Sequence, residues 1–395
     1  MKRQLTGTII FYSTPAYGHV NPVLPVLREL SESGCRVIFY GTEEFRPAAE
    51  SVRAEFIEYE LGDIVFDTTV GSRLLELTEL IQRFTLRVLD GLLHCAGELS
   101  PDLIIFDTLA FWGRAVSEIL HISSVSINTI ITVPSVFSRA FLMYTMRFSA
   151  GCVRELKFLP SVWQNNRIIK RRYKITKAAL LDILMNKAEL NVYTYPGLLH
   201  PDKSRMTGRD FFLGPSSLLR ETTFSDPDDY DYKNMIYVSL GTVFNSSEKF
   251  WQGIIKEFSG TDFTVIISSS LLFDKQDKYD LTENIIIKKY TDQQAVMKKA
   301  RLFISAGGMN SICEAAANGV PCLICPQQGE QAINAKMLQK PGLGIVIHGT
   351  EGIKKKGREL TESYTADERL IREFNDIRMN ELMEKLEALL NRNNE

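Results

Sequence analysis

The chain lacks any uninterrupted apolar run of the roughly twenty residues that a membrane-crossing helix needs. The longest candidate, Val125 to Met143, is broken by Ser, Asn, Thr, Pro and Arg. Its amino terminus, Met1-Lys-Arg, leads into a strand pattern that soon meets Thr14-Pro15, with no signal-peptide core or cleavage site. A cytoplasmic protein is therefore expected. An excess of either charge is missing too. The formal net charge of -2 gives no general attraction to nucleic acid or to an anionic membrane. Lys and Arg gather only locally, at Arg167 to Lys177 and Lys354 to Arg358, and such runs are expected to be solvated faces. The cysteines, Cys35, Cys95, Cys152, Cys313, Cys322 and Cys325, form no disulfide framework. Cys322-Leu-Ile-Cys325 has the C-x-x-C form, but it lies in an apolar strand pattern that turns its two thiols to opposite faces. No second pair completes a zinc site. The G-x-G-x-x-G fingerprint is absent, which argues against a dinucleotide site.

What is present is a soluble α/β pattern. The 395 residues, 45% hydrophobic and 24% charged, suit two domains. Gly7 to Tyr12 reads as a buried strand, Ser13 to His19 as a loop, and Val20 to Ser33 as a helix with Asn21-Pro22 in its first turn. Gly34 closes that helix and Arg36 to Tyr40 follows as a strand, completing a βαβ unit. His19 thus falls at the carboxyl edge of a parallel sheet, where such sheets place ligands; a lone histidine there can also be merely structural. The run Pro101-Asp-Leu-Ile-Ile-Phe-Asp107 is another strand ending in an acid at the same edge. A carboxylate there could hold the tautomer of a catalytic imidazole, or could be a helix N-cap. Leu61 to Ser100 is helical, and Glu189 to Tyr193 and Asp210 to Leu213 close this half as strands.

After a polar stretch, Met235 to Ser239 restarts the strand rhythm, followed by a helix at Glu248 to Phe258 and strands at Thr264 to Ser268 and Ile285 to Lys288. The most informative run comes next. Leu302 to Ser305 has the length of a buried strand, Gly307-Gly308 permit a tight turn, Asn310 and Ser311 open a helix, and Asn318-Gly319 close it. A helix N-terminus facing the end of a strand is an anion site, although Ser311-x-x-Glu314 is also a capping-box pattern. A second turn, Pro326-Gln-Gln-Gly-Glu-Gln331, follows the apolar run Val320 to Cys325 and is rich in groups that hydrogen-bond a polyhydroxylated ligand. Glu368 to Asn391 reads as a terminal helix.

These spaced elements, Gly-Gly-Met-Asn-Ser, the following Glu, Gly-Val-Pro, Pro-Gln and Glu-Gln, resemble the donor signature of the bacterial macrolide glycosyltransferase family. Pro15-Ala-Tyr-Gly-His19 with Asn21-Pro22 resembles the family's catalytic-histidine motif, and Asp107 with Phe111-Trp-Gly-Arg114 its orienting acid. The resemblance implies two tandem Rossmann-like α/β domains facing a cleft, the GT-B fold. It divides the chain into an acceptor domain at residues 1–214, a linker at 215–234, a donor domain at 235–372, and a helix at 373–395 that returns to the first domain. It implies an inverting, metal-independent transfer of a sugar from a nucleotide sugar, UDP-glucose, to a hydroxyl of an apolar small molecule such as a macrolide, polyketide or flavonoid. The nucleotide sugar is a co-substrate, and no cofactor is expected. His19 would be the base and Asp107 its holder. Ser239, Gly241 and Thr242 would contact donor phosphates and base, Tyr290 would stack on the base and Gln293 would touch the nucleoside. The amides of Gly307, Gly308, Met309, Asn310 and Ser311 would take the diphosphate, Glu314 the ribose, and Glu330 and Gln331 the sugar. The acidic pairs Asp226-Pro-Asp228 and Asp229-Tyr-Asp231 mimic a D-x-D metal motif, but their polar context argues against a metal. Aromatic and Met residues from Phe137 to Trp163 would be mostly core, with some lining the acceptor site. Two departures stand out: Asp292 where the family has Pro, and Ala306 where it has a His that donates to the diphosphate. Loss of a charge-assisted bond typically costs about 1.5–3 kcal/mol, which weakens donor binding without abolishing it. A catalytically weak binding protein and a GT-B nucleotide-sugar epimerase are the alternative readings.

Overall fold

The apolar runs at Thr8–Tyr12 (β1), Arg36–Gly41 (β2), Glu55–Glu58 (β3), Leu103–Asp107 (β4), Ser124–Asn128 (β5), Leu190–Tyr193 (β6) and Asp210–Phe212 (β7) form one parallel sheet in the order β3-β2-β1-β4-β5-β6-β7. The computed structural model describes residues 4–64, 74–132, 155–176, 180–220, 234–241 and 248–392. The chain divides into two units, one of Met1–Arg220 with Ile377–Glu395 and the other of Glu221–Asp376. Helices of the first unit are Tyr17–Val20 (α1), Leu24–Glu32 (α2), Arg46–Ser51 (α3), Leu74–Leu99 (α4), Phe111–Leu120 (α5), Leu159–Tyr173 (α6) and Leu180–Met185 (α7).

Strand alternation sorts this core into two layers. Ile9 and Phe11 of β1 face α2, whereas Ile10 and Tyr12 face α4 and α5. The order reverses between β1 and β4, where register pairs Tyr12 with Phe106. The chain leaving β1 and the last residue of β4 therefore lie side by side at the carboxyl edge, the place where such sheets bind ligands. Gly113 makes the fit of α5 possible: a Cβ there would lie 2.7 Å from Phe106 Cβ and 2.9 Å from Tyr12 Cβ.

The second unit repeats the design. Met235–Ser239 (β8), Thr264–Ser268 (β9), Ile285–Lys288 (β10), Leu302–Ser305 (β11), Cys322–Ile324 (β12) and Gly344–Val346 (β13) form a parallel sheet ordered β10-β9-β8-β11-β12-β13. Its helices are Glu248–Phe258 (α8), Ser270–Phe273 (α9), Gln293–Met297 (α10), Met309–Ala317 (α11), Gly329–Gln339 (α12), Ile353–Ser363 (α13) and Glu368–Asn375 (α14). The reversal falls between β8 and β11. Cys325 belongs to the apolar cluster with Leu323 while Cys322 does not, as strand alternation requires, and both thiols are buried and free.

Three local expectations are corrected. The helix expected over Val20 to Ser33 is two helices, α1 and α2, separated at Asn21–Val23. Pro22 has no N–H to continue the ladder, and its carbonyl accepts from the Ser216 hydroxyl at 2.6 Å. The helix expected over Glu368 to Asn391 is also two. Asp376 takes an extended conformation and the Arg378 N–H donates to the Leu213 carbonyl at 2.9 Å, after which Met379–Arg392 (α15) packs Leu382, Leu386 and Leu390 into the first unit's core. Finally, α11 begins at Met309 on a Gly308 N-cap, so Ser311 and Glu314 lie inside the helix and form no capping box.

Candidate active site

Three strand ends of the first unit converge on His19. The loop after β1 is tied down by Ser13, whose hydroxyl donates to the Tyr40 carbonyl at 2.8 Å, and it turns directly into α1, where His19 sits. Asp107, the last residue of β4, is fully buried. His19 Nδ1 lies 3.0 Å from Asp107 Oδ1 and 2.9 Å from Oδ2. An ionised carboxylate only accepts, so this pairing puts the proton on Nδ1 and leaves the lone pair on Nε2. Two further donors hold the carboxylate: the Thr14 hydroxyl at 2.5 Å and the Leu109 N–H at 3.0 Å, both on Oδ1. These bonds offset the cost of burying the charge. Asp107 is not the N-cap of α5, which is Ala110. Thr129, just past β5, places its hydroxyl 3.0 Å from His19 Nδ1, and Asn186 donates to the carbonyls of Asp107 and Thr108. Sequence reasoning missed Thr14, Thr129 and Asn186. Thr14 was within reach, since it stands in the His19 loop.

In the second unit, the turn from β11 to α11 is the candidate anion site. Gly307 has φ +90°, and a Cβ there would come within 2.7 Å of Ile324 Cγ2, so glycine is required. The Ser305 hydroxyl accepts from the Gly307 N–H at 3.1 Å, and Asn334 donates to the Gly307 carbonyl at 3.0 Å. No side chain caps α11, and its first internal bond runs from the Ile312 N–H to the Gly308 carbonyl at 3.0 Å. The first-turn amides of Met309, Asn310 and Ser311 thus point out of the helix end, a partly positive site of the kind anions occupy.

Around this turn the structure brings together Gln293, Ser311 and Glu314. The Gln293 amide donates to Glu314 Oε2 at 2.6 Å and to Ser311 Oγ at 3.1 Å, and Glu314 is buried. Asp292, which stands where the resembled family has Pro, caps α10, accepting from Gln294 N–H at 3.1 Å and Ala295 N–H at 3.2 Å. Beneath it, Tyr237 stacks on Phe303 and shares a 2.8 Å hydrogen bond with Thr291. Tyr290 presents an exposed ring. Gln331 uses its carbonyl oxygen to accept from the N–H groups of Gln327 and Gln328, which leaves its amino group for a ligand. Glu330 accepts from Asn334 at 3.3 Å. Ser239 ends β8 in register with Ser305, and Gly241 follows at φ +83°. Thr242, the acidic pairs at Asp226 to Asp231, and Phe137, Phe141, Met143, Tyr144, Met146 and Phe148 lie outside the described residues. Sequence reasoning also missed Asn334, which ties the glycine turn to α12.

Comparison with known proteins bears on this arrangement. Residues 256–386 match the glycosyltransferase family 28 C-terminal domain. The chain is 29% identical over 366 residues to the NDP-glycosyltransferase YjiC of Bacillus subtilis, covering 92% of this chain and 90% of that one. It is 24% identical over 349 residues to the oleandomycin glycosyltransferase of Streptomyces antibioticus, covering 85% and 78%. Among solved structures, the glycotransferase of kitacinnamycin superposes with a TM-score of 0.80 at 24% identity over the whole of both chains. These similarities support a glycosyltransferase, with relatives that include a bacterial macrolide glycosyltransferase. The chain's two parallel-sheet α/β units are those of the GT-B fold. Ala306 is buried within the second unit's apolar cluster, beside the glycine turn. Among the described residues no helix is long and apolar enough to cross a membrane.

Proposed function

We propose that the protein transfers a sugar, glucose from UDP-glucose, to a hydroxyl of an apolar small molecule, with inversion and without a metal. The observation that carries this reading is the His19–Asp107 pair. The acceptor hydroxyl is a weak nucleophile and needs a base within hydrogen-bond reach. His19 Nε2 takes the hydroxyl proton as the acceptor oxygen bonds to the anomeric carbon, and Asp107 stabilises the imidazolium that forms. The bond from that carbon to the diphosphate oxygen breaks on the opposite face, which inverts the centre. The nucleoside diphosphate leaves with its bonding pair, and the first-turn amides of α11 stabilise the developing charge in place of a metal. Tyr290 would stack on the base, Gln293 and Glu314 would meet the nucleoside, and Glu330 and the Gln331 amino group would meet the sugar. Ser239 and Gly241, with Thr242, would complete the phosphate contacts. A cytoplasmic location accords with a soluble nucleotide-sugar donor.

The test is incubation with UDP-glucose, and in parallel with other nucleotide sugars, against a panel of macrolides and flavonoids. Glycoside formation that His19→Ala abolishes supports the reading. No glycoside with any donor refutes it and leaves a nucleotide-sugar binding role, the reading that Ala306 favours.

A further inference from the structure

The cations of the basic run from Arg167 to Lys174 are exposed, as expected of a solvated face. From residue 119 to 181 the sequence carries ten Lys or Arg and one carboxylate, Glu155, in a chain of net charge -2. Glu155 does not offset this on the surface, because it is buried and accepts from the Leu75 N–H at 2.8 Å. Helix α6 concentrates the charge. Its core side is Val162 and Ile169. The set Leu156, Leu159, Trp163, Arg167, Lys170 and Lys174 follows the spacing of another face; its middle four lie within α6, and its ends lie in the 3-10 turn before the helix and at its left-handed C-cap. The first three are large apolar side chains left 47%, 45% and 65% exposed. The last three are cations. The stripe therefore runs from an apolar half to a basic half. Trp163 stands between them, with the Arg167 guanidinium 5.5 Å from its ring centroid. Arg172 and Tyr173 bind Asp90 of α4 at 2.5 and 2.9 Å, which fixes the helix's rotation and keeps the stripe outward.

We propose that this face of α6 docks the protein on an anionic lipid surface. The apolar half would enter the boundary between headgroups and acyl chains, and the basic half would meet the anionic headgroups, the arrangement of an interfacial helix. The same face of a second copy offers the cations no carboxylate, since Glu155 is buried: a parallel pair would set cations on cations and an antiparallel pair would set them on the apolar half. The aliphatic residues beside the indole have no counterpart on a phosphate backbone, which takes cations and stacked rings. Docking would bring an enzyme of apolar acceptors to the phase in which they concentrate, yet the surface stands whether or not the donor and acceptor assignments above hold.

Intrinsic fluorescence tests this directly. Of the three tryptophans, Trp112 and Trp251 are buried and Trp163 alone is exposed. The full chain is mixed with vesicles of phosphatidylcholine, or of phosphatidylcholine and phosphatidylglycerol in equal parts. Cosedimentation, a blue shift and protection from iodide quenching are expected with the anionic vesicles only, weakening as salt rises. Reversing two exposed cations of this face, Lys170→Glu with Lys174→Glu, should weaken binding by at least about 30-fold. Trp163→Phe should erase the shift and retain cosedimentation. No binding to anionic vesicles, equal binding to neutral ones, or no effect of the charge reversal overturns the proposal. So does duplex DNA that protects Trp163 equally well and displaces the vesicles.

Discussion

Asp107→Asn should disable the base while leaving the fold intact, and the hydrogen bonds around residue 107 say why. Oδ1 accepts from the Leu109 N–H at 3.0 Å and from the Thr14 hydroxyl at 2.5 Å. The backbone N–H cannot turn away, so an asparagine must keep its carbonyl oxygen on that side. Its amino group then replaces Oδ2, 2.9 Å from His19 Nδ1. At that contact the amide N–H opposes Nδ1–H, which then keeps only the Oδ1 carbonyl and the Thr129 hydroxyl as acceptors, so the balance shifts toward Nδ1 as an acceptor with the proton on Nε2. That is the wrong tautomer for taking a proton from the acceptor. Losing a base in this way lowers kcat by roughly 10⁴-fold, about 5.5 kcal/mol. The donor KM should hold, because the change is one atom in the first unit and leaves the donor residues of the second untouched. The assay is initial-rate glycoside formation at saturating donor, with thermal melting as a check on folding. His19→Ala should cost about as much, and the double variant little more, since the two residues act as one unit. A kcat within tenfold of wild type would refute the tautomer argument and with it the role of His19.

Other expectations follow from the same geometry. Gln293→Leu removes the 2.6 Å donor to buried Glu314; donor KM should rise roughly tenfold, and an unchanged KM would show that this pair is structural. Ala306→His restores a donor beside the glycine turn, so UDP should bind about ten- to a hundredfold tighter by calorimetry. Crowding at this buried position should cost about 1–3 kcal/mol of stability. His200 is buried, and its pKa is lowered to about 4, chiefly by desolvation that outweighs Asp202 and Asp210. The unfolded chain takes up this proton near pH ~6.5. The group therefore costs nothing at neutral pH and destabilises the fold progressively as pH falls from about 6.5 to about 4, by up to about 3 kcal/mol. Urea midpoints against pH should show this decline, flattened in His200→Leu, and parallel profiles would exclude His200 as its source.

Much of this was legible because it is local. Apolar runs bounded by Gly and polar turns marked the strands, and the turn chemistry at Gly307-Gly308 and the acid ending β4 marked both candidate sites. What escaped was whatever depends on chain segments far apart. Thr129 reaches His19 across a separation of 110 residues, and the Gln293 contact with Glu314 needs the segments that follow β10 and β11 already in place. The broken helices show the same limit, since periodicity runs on through Asp376 and only the Leu213 carbonyl diverts the chain. Likewise the sequence marked Arg167 to Lys177 as basic, but not which way it faced. Sequence by itself determined the elements, the turns and the residue types that the chemistry needs, because propensity, alternation and glycine geometry act within a few residues. Only the tertiary structure decided which strand ends meet, which donors hold Asp107, and that Trp163 stays exposed beside its cations, because those follow from sheet order and packing.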